Sequence, residues 1–156
     1  MTTSAPTPIH FVADGGLEGA GLTAQQLAWA SANGFSGQKG KLLALPDAEG
    51  NVGLWLFGVG SADDRSPFIA GLAGQNLPAG AYELAGEIGD PTLAAIAFRL
   101  GAYRFDRYRD ESPVATLVLP QGADSAEVDR QVAAATTARD LINTPSNDLG
   151  PDALEQ

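Results

Sequence analysis

Apolar and polar positions follow two periods along this chain, and the switches between them outline its elements. "PIHFVAD" (residues 8–14) is a short β-type run that ends in the turn Asp14-Gly15-Gly16. Thr23 and Gln26 form a capping box before "AQQLAWASA", and Asn33-Gly34 stops that helix. "KLLALP" and "VGLWLFGVG", joined by "DAEGN", read as a hairpin, "SPFIAGLAGQNL" as a helix and "AYELAG" as a strand. Asp90-Pro91 opens a further helix in which Leu93, Ile96, Ala97 and Leu100 recur at i, i+3, i+4, i+7, the stripe of a core-facing helix. "PVATLVLP" is almost wholly apolar and is expected to be a central strand covered on both faces. The last helix begins at Asp124, has Glu127 in its first turn and runs to about Ile142. The order β-α-β-β-α-β-α-β-α predicts an α/β fold with a mixed sheet and helices on both faces.

Composition narrows the classes. The chain has 156 residues, about one domain, with 44% apolar residues and a mean hydropathy of -0.03. No apolar run approaches the roughly 18 residues of a membrane span. The opening "MTTSAPTPIHF" lacks a basic region followed by an apolar stretch, so no secretion signal is expected. There is no cysteine, which removes disulfides, thiolate metal sites and cysteine catalysis and fits a cytoplasmic protein. A net charge of -10 and a pI near 4.3 disfavour nucleic acid as a partner, because phosphates would be repelled.

Short chemical motifs mostly fail. "GVGSAD" (residues 58–63) starts like a dinucleotide fingerprint, but Asp63 stands where the third glycine belongs. Its glycines serve a tight turn and close packing, or alternatively offer backbone N–H groups to a phosphate. Gly40-Lys41 is no P-loop, since Phe35 replaces the earlier glycine and Leu42 the Ser or Thr. One histidine, His10, excludes an H-E-x-x-H zinc site and reads as a partly buried structural residue. Asp63-Asp64 read as carboxylates of a solvated loop. "YRFDRYRDE" interleaves Arg104, Arg107 and Arg109 with Tyr103, Phe105 and Tyr108, while Asp106, Asp110 and Glu111 neutralise the patch. Its aromatics are expected to plug a helix end, with the charges in solvent.

Two stretches carry a resemblance. "RLGAYRFDRYRD" (residues 99–110) is similar to the G-x-Y-x-F-x-x-Y-K/R segment of the leucyl aminopeptidase family, the cytosol aminopeptidases. "ARDLINTPSNDLGP" (residues 138–151) resembles that family's R-x-L-x-N-x-P-x-N-x-L-x-P segment at Arg139, Leu141, Asn143, Pro145, Asn147, Leu149 and Pro151. "LFGVG" is similar to the family's V-G-L-G turn. The resemblance implies a non-catalytic, macro-domain-like N-terminal domain joined by a long helix to a larger catalytic domain. It also implies two divalent metals, manganese or zinc, held by a Lys with several Asp and Glu residues. Such ligands suit hard cations that polarise a peptide carbonyl and activate water.

The family's N-T-D-A-E-G-R signature is absent from this chain, and "INTPSND" shares only its Asn-Thr pair. No catalytic, cofactor-binding or metal-ligating residue is therefore assigned here. The expected division is residues 1–124 as the macro-like domain, 125–145 as the connecting helix and 146–156 as the first residues of a catalytic domain that is absent. Gly150-Pro151-Asp152 reads as the opening of the next helix. The chain is expected to be an excised domain or natural fragment of a metallo-exopeptidase, catalytically silent alone. It is expected to be a monomer or weak dimer, where the parent is a hexamer. The C-terminal part of the last helix, from Arg139 onward, is expected to fray without its catalytic domain. Two rival functions stand beside this one: a macro-like ADP-ribose or nucleotide module using the turn at Gly58–Ser61, and a stand-alone structural or oligomer-forming domain.

Overall fold

A computed structural model describes residues 5–108, 113–145 and 148. Arg109, Asp110, Glu111, Asn147, Leu149, Gly150, Pro151 and Asp152 lie outside the described residues, and with them the opening of a further helix.

Among the described residues, five strands form one sheet: β1 (Thr7–Ala13), β2 (Leu42–Pro46), β3 (Val52–Gly60), β4 (Gly80–Gly86) and β5 (Ala115–Leu117), in the order β2-β3-β1-β4-β5. β2 and β3 form the expected antiparallel hairpin, and β3-β1, β1-β4 and β4-β5 are parallel. The helices are α1 (Ala24–Ala32), α2 (Ala70–Asn76), α3 (Pro91–Ala102) and α4 (Ser125–Asn143). The fold is thus α/β with a mixed sheet, as the element order predicts.

The period-2 pattern of the strands divides the core in two. Ile9, Phe11, Phe57, Val59 and Tyr82 bury one face of the sheet against α2, α3 and α4. The Phe11 and Phe57 rings lie 4.9 Å apart at its centre. Val12 and Leu56 point the other way, into a smaller cluster with Leu45, Phe35 and Ala30 of α1. The capping box of α1 is present in full: the Gln26 N–H donates to Thr23 Oγ1 at 3.2 Å, and the Thr23 N–H to Gln26 Oε1 at 2.9 Å.

Two expectations about packing need correction. "PVATLVLP" contributes only the short strand β5 at the sheet edge, paired to β4 alone, with Thr116 and Val118 exposed. Pro113 and Pro120 bracket the run and cannot donate to a ladder. β1 holds the centre because the chain builds out from it on both sides: α1 leads to the β2–β3 hairpin on one side, α2 crosses from β3 to β4 on the other, and α3 leads on to β5 at the edge. In α3 the buried set is Ala94, Ala95, Ile96, Ala97, Phe98 and Ala102, whereas Leu93 is 36% exposed. This helix packs on α2, α4 and β5 at once, so small residues decide its contacts. The α2 crossing is the tightest of them: a Cβ on Gly101 would lie 2.0 Å from the Gly71 carbonyl oxygen.

Candidate functional site

The motif remnants resolve into structural roles. Gly58 is buried, and its N–H donates to the Lys41 carbonyl at 2.9 Å, while the Gly60 N–H donates to Gly37 O at 2.9 Å. A Cβ on Gly58 would lie 2.0 Å from the Gln38 carbonyl oxygen. Neither amide is open to a diphosphate, so close packing accounts for these glycines. Lys41 caps the end of α1, where its ammonium donates to Gly34 O at 2.7 Å and Asn33 O at 3.2 Å. Asp63 and Asp64 are exposed, and Asp64 pairs with Lys39 at 2.9 Å. His10 is half-buried in β1, and that burial lowers its pKa below the usual histidine value. Among the described residues, no group of three or more His, Cys, Asp or Glu side chains is placed to hold a metal ion.

The two resemblance segments, by contrast, meet in space. α4 starts on the cap Asp124, whose carboxylate accepts the Glu127 N–H at 3.0 Å. Val128, Val132, Ala135, Arg139 and Ile142 follow one another at alternating spacings of four and three, on one face of the helix. Val128 is fully buried and Val132 packs on the main core. Further along, the stripe changes chemistry. Arg139 stands where an apolar residue would continue it, and its Nη1 donates to Leu100 O, near the end of α3, at 2.7 Å. Its guanidinium also lies 5.4 Å from the centre of the Tyr103 ring. Ile142 falls one turn later and is 81% exposed.

The segment after α3 closes around this helix end. The Tyr103 hydroxyl donates to Asp140 Oδ1. Arg104 donates to Gly101 O at 3.1 Å and Tyr103 O at 2.9 Å, and reaches across to Gln75 O, in α2, at 2.8 Å. Arg107 donates to Thr144 Oγ1 at 3.3 Å, and Thr144 Oγ1 in turn donates to Asp140 O at 2.6 Å. Phe105 and Tyr108 stack edge-on at 5.8 Å, and the Tyr108 hydroxyl donates to Asp148. The aromatics do plug a helix end, as their spacing suggests. Arg104 and Arg107 are not simply solvated: Arg104 satisfies carbonyls near the ends of α2 and α3, and Arg107 donates to the Thr144 hydroxyl at the end of α4. Burial, then the hydrogen bond to Asp140, raises the Tyr103 pKa above the usual phenol value, against opposing contributions from Asn143 and Arg139.

A mixed five-stranded sheet, helices on both faces and a long final helix tied at its end by an Arg-Tyr cluster define an α/β domain. The family model of the M17 aminopeptidase N-terminal domain matches residues 10–120, so the chain belongs to the M17 aminopeptidase family through that domain. It is 34% identical over 141 residues to the probable cytosol aminopeptidase of Leifsonia xyli, a match covering 78% of this chain and 28% of that protein. It is 41% identical over 86 residues to the probable cytosol aminopeptidase of Streptomyces avermitilis, covering 45% of this chain and 16% of that one. The crystal structure of cytosol aminopeptidase from Coxiella burnetii superposes with a TM-score of 0.80 and 31% identity, over 99% of this chain and 35% of that chain. The bottromycin maturation enzyme BotP shares the fold, with a TM-score of 0.73 at 23% identity. The chain thus spans about a third or less of the length of these relatives.

Proposed function

We propose that this chain is the non-catalytic N-terminal domain of a leucyl aminopeptidase-type metallo-exopeptidase, which removes N-terminal residues from peptides. One observation carries the reading: a family match to an N-terminal domain over residues 10–120, on a fold that covers 99% of this chain but 35% of the Coxiella enzyme. In this reading residues 1–124 are the macro-like domain, 125–145 the connecting helix and 146–156 the entry to a catalytic domain that works in cis. That domain holds the two divalent metals, manganese or zinc, and supplies the Lewis-acid chemistry of hydrolysis; this chain contributes no ligand. BotP has been solved in complex with manganese, on the same fold. The parent is a cytoplasmic hexamer, and the chain alone is a monomer or weak dimer. No helix among the described residues is long and apolar enough to cross a membrane.

The test is catalytic. The purified chain, given leucyl substrates with manganese, zinc or magnesium, is expected to show no hydrolysis. Turnover that co-purifies with the chain and disappears with a chelator would overturn the assignment.

A further inference from the structure

We infer that the Asn33–Gly34 step at the end of α1 is a site of spontaneous covalent modification, deamidation through a cyclic imide, and that the last turn of α1 and the Lys41 ammonium set its rate. The inference is independent of the function proposed above.

The chemistry follows from two adjacent residue types. Once the Gly34 backbone nitrogen has lost its proton to hydroxide, it attacks the side-chain carbonyl carbon of Asn33. The new N–Cγ bond closes a five-membered succinimide, the Cγ–Nδ2 bond breaks, and the amide nitrogen leaves as ammonia, taking a proton from water. Water then opens the imide at one of its two carbonyls, giving aspartate or the β-linked isoaspartate. The sum is one water consumed and one ammonia released, with no change of oxidation state, and a neutral side chain becomes a carboxylate. Glycine in the second place favours the attack, because no Cβ crowds the nitrogen. The chain's five asparagines are followed by Gly34, Val52, Leu77, Thr144 and Asp148, so Asn33 alone meets this condition.

Solvent reaches the step, but the fold ties both reacting groups. Asn33 and Gly34 are exposed. The Asn33 side-chain amide donates to Trp29 O at 2.8 Å, and the Gly34 N–H donates to Ser31 O at 2.9 Å. Phe35, buried in the smaller core cluster, donates its N–H to Ala30 O at 2.9 Å and pins the chain just beyond the step. Lys41 Nζ holds both carbonyls of the step, Gly34 O at 2.7 Å and Asn33 O at 3.2 Å. Asn33 itself keeps φ -91° and ψ 10°, beside the helical region. Attack requires the 33–34 peptide to turn its nitrogen onto the Asn33 side chain. That rotation breaks the Gly34–Ser31 bond and moves the Asn33 carbonyl off Lys41. The reaction therefore passes through a local opening of the helix end, which costs less than global unfolding.

The product changes the helix end. A carboxylate at residue 33 meets the negative end of the α1 dipole, where the Lys41 ammonium offsets the repulsion. An isoaspartate adds a backbone carbon between residues 33 and 34, and the Gly34–Ser31 bond cannot keep its register.

The test is to incubate the chain at mildly alkaline pH, folded and in denaturant, and to follow aspartate and isoaspartate by peptide mass mapping. Lys41→Met, which keeps most of the stem and removes the donor, is carried in parallel, with a denaturant melt to show that it is folded. Product is expected at Asn33, forming at least about tenfold more slowly in the folded chain than in the denatured one. Folded Lys41→Met is expected to react about threefold or more faster than the folded parent chain, and equally fast in denaturant. Equal rates in the folded and denatured parent chain would overturn control by the fold. An unchanged rate in folded Lys41→Met would overturn the clamp. Product mapped first to another asparagine would overturn the site. So would the absence of product in both folded proteins over many half-lives of the denatured reaction.

Discussion

Val128 in the first turn of α4 is fully buried, whereas Ile142, on the same stripe in the last turn, is 81% exposed. The start of the helix is anchored by apolar burial, a carboxylate cap and the Arg99–Asp129 pair at 2.7 Å. Its end is held by polar ties: Arg139 to Leu100 O, Tyr103 to Asp140 and Arg107 to Thr144. The difference teaches what each kind of contact does for a helix. Apolar burial contributes about 25 cal/mol per Å² and acts in all directions, so it builds a body. Directed hydrogen bonds to a helix end fix an orientation instead. The expectation that the helix frays from Arg139 onward rests on the missing apolar support, and these ties oppose it.

The contrast breaks most visibly at Val128. Val128→Ala is expected to cost about 2 kcal/mol of unfolding free energy, since it removes fully buried methyl groups and leaves a cavity. Denaturant melts would show this as a lower midpoint at unchanged slope. A loss below a few tenths of a kcal/mol would mean that the start of α4 is not anchored as described.

Arg139→Met comes next. It keeps much of the stem but removes the donor to Leu100 O, and is expected to cost about 1 kcal/mol. Hydrogen exchange should locate the damage: faster exchange at Leu141 to Asn143, with Val132 unchanged. Uniform acceleration along α4 would show that the two ends are not separate.

The tyrosines report on this helix end without a stability measurement. Tyr82 is raised by burial, Tyr103 by burial and then by Asp140, and Tyr108 first by its hydrogen bond to Asp148. These are all the tyrosines in the chain, so an absorbance titration of the folded protein should show no phenol ionising at the ordinary value near 10. The folded-state pKa of Tyr103 lies above its unfolded value. Its contribution to stability is therefore complete below pH ~10 and is lost as pH rises through the folded value. Asp140→Asn should lower the Tyr103 midpoint, identified by its disappearance in Tyr103→Phe. An unmoved midpoint would exclude the Tyr103–Asp140 contact.

The smallest effect is expected at Ile142. Ile142→Ala should change the stability of the isolated chain by less than about 0.5 kcal/mol, the usual range for an exposed site. A cost comparable to that of Val128→Ala would place the last turn inside this domain and erase the contrast.

Signals confined to one element could be read along the chain, because their physics is local. The Thr23–Gln26 box, the Asp90 and Asp124 caps and the period-2 runs of β1 and β3 all use partners within a few residues. The Arg139–Pro151 and Gly101–Arg109 segments likewise announced a family whose N-terminal domain this chain matches. What the order of residues left open was which elements become neighbours. "PVATLVLP" has the composition of a central strand yet lies at the edge, because crossover connections, not hydrophobicity, assign places in a sheet. Leu93 fits the helical stripe of α3 and still reaches solvent, since α2 crosses α3 closely at Gly71, Gly74 and Gly101, further along the helix. Arg104, Arg107 and Arg139 look like surface charge in the sequence. Arg104 and Arg139 reach carbonyls 29 and 39 residues away, at Gln75 and Leu100, and Arg107 reaches the Thr144 hydroxyl; only the folded chain brings those helix ends within reach.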